Sequence, residues 1–224
     1  MTRLTIALAI TFESALSIGA GGSAGTLADK SIVRDGWGRP IIPGSQVKGK
    51  LRWAAEQLLR SMGQHIPAPF DEAAETATFV RALFGSPEQR SPLSFADLPA
   101  TLVSAEHAPE LQRRLSQVRP SVSINRRRGT AEDQRLLFQE TALEGMQFAH
   151  KHAIIGDLAA TNADQCAALL WAALQLTTRW GGAKSRGLGW GTVKATLMLD
   201  GEKLEDADLA TALRSALTQP GGAQ

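Results

Sequence analysis

Between Leu4 and Phe12 the chain alternates without a break: Leu4, Ile6, Leu8, Ile10 and Phe12 are set against Thr5, Ala7, Ala9, Thr11 and Glu13. Side chains repeat every two residues only in a strand, and a strand needs that pattern when one of its faces is covered. The N-terminal segment is therefore predicted to lie in a sheet with an apolar layer against one side. The alternation, broken at its end by Glu13, also argues against reading Arg3 and the apolar residues after it as a secretory leader. No stretch approaches the roughly 18–20 uninterrupted apolar residues of a membrane span. The expectation is a soluble, cytoplasmic protein with no membrane partner.

The rest of the 224 residues supplies the elements such a strand would pack against. A Gly/Ser/Ala loop runs from Gly19 to Gly25, and Thr26 to Val33 reads as extended. Ser45, just after Pro43-Gly44, has the chemistry of a helix N-cap. From there Val47, Leu51, Ala54, Ala55, Leu58, Leu59 and Met62 share one face at 3.6-residue spacing, and Gly63 ends the helix. A short helix closing at Leu83-Phe84-Gly85 comes next, then a strand with Leu93, Phe95 and Leu98. A basic, turn-rich segment spans about Glu110 to Arg135, and Leu136 to Ile155 reads as one or two strands. A helix beginning near Thr161-Asn162 carries Cys166, Leu169, Leu170, Ala173, Leu174 and Leu176. A Gly-dense loop, Gly181 to Gly191, leads into a last strand with Val193, Ala195, Leu197 and Leu199, and a terminal helix covers about 205–217. The order is strand, helix, strand, insertion, helix, strand. That is an α+β, ferredoxin-like βαββαβ plan with a mid-chain insertion, expected as one domain over 1–224 with the insertion at about 99–155.

Composition rules out several classes. One cysteine, Cys166, excludes an internal disulfide framework and a Cys-rich zinc site, and on an apolar helix face it reads as a buried thiol. The net charge is only +2, yet it is segregated. Lys30 to Arg60 holds seven basic and two acidic residues, Glu110 to Arg135 seven and three, and Arg179 to Lys194 four and none. These windows total +13, so the remainder carries −11. Two of the basic windows coincide with Gly-containing turns flanking helices, where free backbone N–H groups meet phosphate well. The pattern points to a polyanionic partner.

Two strings imitate nucleotide-binding motifs without their context. Gly19-Ala20-Gly21-Gly22-Ser23-Ala24 comes after a strand but opens no helix, and no acid lies at the distance a ribose requires. Gly44-Ser45-Gln46-Val47-Lys48-Gly49-Lys50-Leu51 places Leu51 where a P-loop needs a hydroxyl on magnesium. His150 and His152, two apart on an extended segment, share a sheet face, but no carboxylate sits at ligand spacing to make them a metal or acid/base site.

Two other strings are informative. In Pro43-Gly44-Ser45-Gln46-Val47-Lys48-Gly49-Lys50-Leu51-Arg52, cations crowd the first turns of a helix. There they oppose the macrodipole at up to about 1 kcal/mol each, a sign that bound phosphate reverses. In Gly181-Gly182-Ala183-Lys184-Ser185-Arg186-Gly187-Leu188-Gly189-Trp190-Gly191, five glycines surround a Lys-Ser-Arg centre, more than a tight helix-to-strand connection needs. With Leu83-Phe84-Gly85-Ser86 and Ala28-Asp29-Lys30-Ser31-Ile32-Val33-Arg34-Asp35, these strings resemble the RAMP superfamily of CRISPR–Cas proteins. The likeness is greatest to the backbone subunits of type III effector complexes and spans residues 1 to about 199. Gln46 stands where that family's helix-opening string has a second Ser.

The resemblance implies a ferredoxin-like, RRM-derived fold and an RNA-binding subunit of an antiviral ribonucleoprotein, stacked with further copies or homologues along a CRISPR RNA. The implied guide contacts are Ser45, Lys48, Lys50 and Arg52 on the first helix, and Gly182, Lys184, Ser185 and Arg186 in the Gly-rich loop. A β-hairpin thumb that wedges the guide–target duplex is implied within the insertion, about Arg119 to Gly145, with Asn125-Arg126-Arg127-Arg128-Gly129 near its tip. In slicing members, one Asp after the first strand is required to cut single-stranded target RNA through the neighbouring ribose 2′-OH, with a divalent metal such as Mg²⁺ or Mn²⁺. Asp29 occupies that place and would be both the catalytic residue and a metal contact within the RNA complex. Asp35, beside Arg34 and Gly36, reads instead as a turn residue or an arginine's partner. The alternative is a non-catalytic guide-binding subunit on the same scaffold.

Overall fold

A computed structural model describes residues 1–20, 28–67, 79–102 and 115–218. Most of the Gly19–Gly25 loop and the start of the basic segment at Glu110 lie outside the described residues. The elements are β1 (Thr2–Phe12), β2 (Ile41–Ile42), α1 (Gly44–Ser61), α2 (Phe79–Phe84), β3 (Leu93–Phe95), β4 (Leu98–Leu102), β5 (Ser116–Asn125), β6 (Thr130–Ala142), β7 (Met146–Leu158), α3 (Ala163–Leu176), β8 (Gly191–Leu199), β9 (Glu202–Lys203) and α4 (Asp206–Thr218).

The alternating segment is the central strand. β1 pairs antiparallel with β7 on one side and β8 on the other, and the sheet order is β2-β4-β7-β1-β8-β9, with β3 also on β7. Reduced to β4-β7-β1-β8 with α1 and α3 as the two crossovers, this is the ferredoxin-like order, and the fold is α+β. Leu4, Ile6, Leu8, Ile10 and Phe12 are all buried. They form one core with Val47, Leu51, Ala55 and Leu59 of α1 and Cys166, Leu170, Ala173 and Leu174 of α3. Burial pushes the Cys166 thiol up to about 12, so it stays protonated and acts as a small apolar side chain.

Two residues of the predicted helix faces leave the core at the helix ends. Met62 is the C-cap of α1 and Leu176 closes α3; both are exposed. The N-cap expected at Ser45 is also corrected: the cap is extended Pro43, two residues earlier, so α1 begins at Gly44 and Ser45 lies in its first turn. The cause is tertiary. Gly44 packs so closely on the Phe95 backbone that a Cβ would overlap the Phe95 carbonyl oxygen, and its N–H donates to Asp97 Oδ1 at 2.8 Å. A carboxylate from the β3–β4 turn therefore caps the helix in place of a local hydroxyl.

Leu136 to Ile155 divides into two strands at Gly145, whose φ of 75° favours glycine. Of the segment 99–155, the first residues lie in β4 and the last in β7, both in the main sheet. Between them β5 and β6 form a two-stranded hairpin outside the main sheet, with single bridges from β6 to Leu16 and Lys30. Its turn is 126–129, and Arg126, Arg127 and Arg128 are all exposed there. Asn125 builds the turn by accepting the N–H groups of Arg127 and Arg128 at 3.0 Å. One hairpin face, with Val118, Val122, Ile124, Leu136 and Phe138, is apolar and exposed.

Candidate nucleic-acid interface

The two informative motifs meet. Lys50, half-buried on α1, faces Lys184 at the start of a 3₁₀ turn, Lys184–Arg186, that lies in the loop between α3 and β8. Partial burial and the adjacent Lys184 ammonium bring the Lys50 pKa down to about 8. Among the described residues neither lysine has a carboxylate partner. Two cations held together with no counter-charge form an anion site. Arg179 joins them along a cleft of about 330 Å³ whose wall also includes Trp53 and Leu176.

The other motif cations go elsewhere. Lys48 and Arg52 are one turn apart on α1 and two residues from Lys50, so they occupy a different face. The Lys48 ammonium sits over the Phe95 ring at 5.9 Å. Arg52 donates to Glu56 at 2.9 Å and to the Gly85 carbonyl at 3.3 Å, and Glu56 also holds Arg60. Arg52 is thereby committed to tying α1 to the turn after α2. Gly182, Lys184, Ser185 and Arg186 are exposed, as is Ser45.

The glycines of the loop are used partly by the chain itself. Gly189 has a φ of 78°, and a Cβ there would overlap the Trp180 carbonyl oxygen. Gly181 backs onto Ser17 in the same way, and Gly182 N–H donates to the Ser17 carbonyl at 2.7 Å. The glycine content therefore reflects, in part, close packing of this loop on the segment after β1 rather than backbone bared for a ligand.

That packing connects the loop to the hairpin. Ser17 Oγ accepts from Gln139 Nε2 at 2.7 Å and donates to the Glu140 carbonyl at 3.3 Å, both residues being on β6. Residues 28–34 run along the same part of β6. Asp29 and Lys30 N–H both donate to the Phe138 carbonyl, and Glu140 N–H donates to the Lys30 carbonyl. The Glu140 carboxylate accepts from Ile32 N–H, Ser116 Oγ and the Arg34 guanidinium. Burial alone raises its pKa, but those donors outweigh burial and hold it below the ordinary value. Asp29, the Gly-rich loop and the hairpin base thus belong to one hydrogen-bonded assembly.

Asp29 is exposed at that base. Its Oδ2 accepts Phe138 N–H at 2.8 Å, and its other oxygen has no partner among the described residues. Asp35 behaves as a turn residue. Its carboxylate accepts Trp37 N–H, Arg39 N–H and the Arg39 guanidinium, and the turn so built leaves Trp37 84% exposed. Burial raises the Asp35 pKa, and the Arg39 and Trp37 bonds together bring it below the usual value. No group of three or more His, Cys, Asp or Glu among the described residues is arranged to hold a metal. Among the described residues, Asp29 is therefore not part of a cluster of metal-ligating side chains. His150 Nδ1 accepts His152 N–H at a bulge of β7, with ring centroids 6.5 Å apart.

The family model of the RAMP superfamily matches residues 9–194, from mid-β1 into β8. The chain belongs to the RAMP superfamily. The match covers both motifs and the hairpin, so the RAMP chain joins its fold and its basic cleft to a family of CRISPR-associated RNA-binding proteins. No curated protein matches it in sequence. No described helix is long and apolar enough to cross a membrane.

Sequence reasoning missed Trp53 and Arg179. Trp53 is legible as a large aromatic three residues after Lys50, off the apolar stripe of α1, and Arg179 as the first cation of the last basic window.

Proposed function

We propose that this RAMP protein is a backbone subunit of a type III CRISPR effector, gripping the sugar–phosphate chain of a CRISPR RNA at the Lys50–Lys184 cleft and acting on complementary single-stranded target RNA beside Asp29. The observation that carries the reading is the meeting of Lys50 and Lys184, from motifs at opposite ends of the chain, with no acid between them. Partners are the guide, the target and other effector subunits, including further copies of this chain. Arg126 to Arg128 at the hairpin tip supply the cations of a thumb that meets the guide–target duplex. Support for cutting is narrower: an exposed carboxylate with one uncommitted oxygen at the hairpin base. In that role Asp29 takes the proton of, or orients, the ribose 2′-OH. The 2′-oxygen then bonds to phosphorus while the 5′-oxygen leaves and takes up a proton. A divalent ion, Mg²⁺ or Mn²⁺, would offset the phosphate charge when bound with the RNA.

The test uses two variants in the assembled complex. Asp29→Asn keeps an acceptor for Phe138 N–H but loses the basic carboxylate; Asp29→Ala loses both. Slicing predicts that each retains target binding while cleavage slows by at least about 100-fold. Unchanged cutting by Asp29→Asn refutes the catalytic role and leaves the non-catalytic guide-binding subunit.

A further inference from the structure

The cleft beside the two lysines contains more than phosphate chemistry. Trp53 lies one turn after Lys50 and is 61% exposed, and Leu176, which closes α3, is 56% exposed. Both line the same cleft as Lys50, Arg179 and Lys184. Here two large exposed apolar side chains and three cations line one cleft, so apolar and ionic contacts are offered side by side. A single ligand satisfies both when it carries an aromatic face next to an anion. Arg179 is already set for such a ligand. Its guanidinium stacks 3.7 Å over the Trp190 ring, which fixes the plane of its donors. The volume of about 330 Å³ sits at the lower end of the roughly 300–1,000 Å³ of ligand pockets, enough for one nucleotide.

We propose that this cleft is a base-stacking subsite: one nucleobase of the bound RNA lies on Trp53 and Leu176 while its flanking phosphates meet Lys50, Lys184 and Arg179. The inference rests on the RNA-grip reading above and adds to it a contact with the base. Stacking accepts any base, since every base has a π-face, so the subsite gives affinity without a sequence code.

The experiment compares two labelled strands of equal length by fluorescence anisotropy with the full chain: oligoadenylate, and the same ribose–phosphate backbone without bases. The wild-type chain is expected to prefer oligoadenylate by about tenfold, the lower part of the range for one stacked base. Trp53→Ala should abolish most of that preference without changing affinity for the abasic strand, and Trp53→Phe should keep most of it. A wild-type chain that binds both strands equally, or a Trp53→Ala chain that still prefers oligoadenylate tenfold, overturns the proposal. Lys50→Ala separates the two readings, because it should weaken both strands alike. If Lys50→Ala has no effect while Trp53→Ala does, the phosphate grip fails and the stacking stands. Polyglutamate serves as the competing occupant: displacement of oligoadenylate by it that depends on Trp53 would assign the cleft to an acidic peptide and overturn the nucleotide subsite.

Discussion

Raising the pH from 7 to 9 should weaken RNA binding through Lys50 alone. With its pKa near 8, Lys50 is about nine-tenths charged at pH 7 and about one-tenth charged at pH 9. A bound phosphate restores the missing counter-charge and keeps the ammonium protonated, so binding above pH 8 must draw a proton from solution. For one such site the affinity falls about tenfold across the interval, about twofold of it below pH 8 and about fivefold above. Oligoadenylate is the suitable probe because adenine does not titrate in that range. Measured at fixed ionic strength by anisotropy, the wild-type chain should show the tenfold fall. Lys50→Arg should be nearly flat, since a guanidinium remains charged throughout. The same lysine carries a sign for stability. Lysine in the unfolded chain titrates near 10.5 and in the fold near 8. Between those values the unfolded state holds the extra proton, and stability rises with pH. A wild-type profile that is flat from pH 7 to 9, or an equal fall in Lys50→Arg, refutes the paired-lysine argument.

Other consequences are more local. Lys184→Ala should reduce the slope of log affinity against log salt by about 0.7, one phosphate on a single strand, whereas Arg52→Ala should leave that slope unchanged and lower only the melting temperature. Gly189→Ala forces a Cβ into the Trp180 carbonyl at a positive φ; chemical denaturation should show a loss of about 2–3 kcal/mol. Glu140→Ala leaves Arg34, Ser116 and the Ile32 N–H without their acceptor and should cost about 1–3 kcal/mol. In the wild-type chain Glu140 contributes stability above its ordinary pKa of 4.5, and that contribution is lost as pH falls through its lower folded-state value. An acid-unfolding profile insensitive to Glu140→Gln would contradict the assignment.

The ferredoxin-like plan is legible in the sequence because its signals are local. The period-two run of β1 and the 3.6-residue stripe of α1 each state which face is covered, and the order of elements then leaves few topologies. The helix start is hidden for the opposite reason: Asp97, far along the chain, supplies the cap that Ser45 is expected to supply. The glycines of the loop suggest openness toward a ligand, yet Gly181 and Gly189 are shaped by Ser17 and Trp180, which spacing cannot reveal. The charge windows mark the segments that carry Lys50 and Lys184 without saying which cations meet. An i,i+4 reading would pair Arg52 with Glu56 and remove it from consideration, while the approach of Lys50 to Lys184 exists only in three dimensions. Asp35 is legible as a turn builder from its neighbours.

Ser17 and Glu140 fasten the root of the β5–β6 hairpin to the loop that carries Lys184. Ser17 thus acts as a rivet, its carbonyl holding Gly182 and its hydroxyl holding Gln139 and Glu140, so that a side-chain loss at position 17 would loosen the hairpin root from the lysine loop.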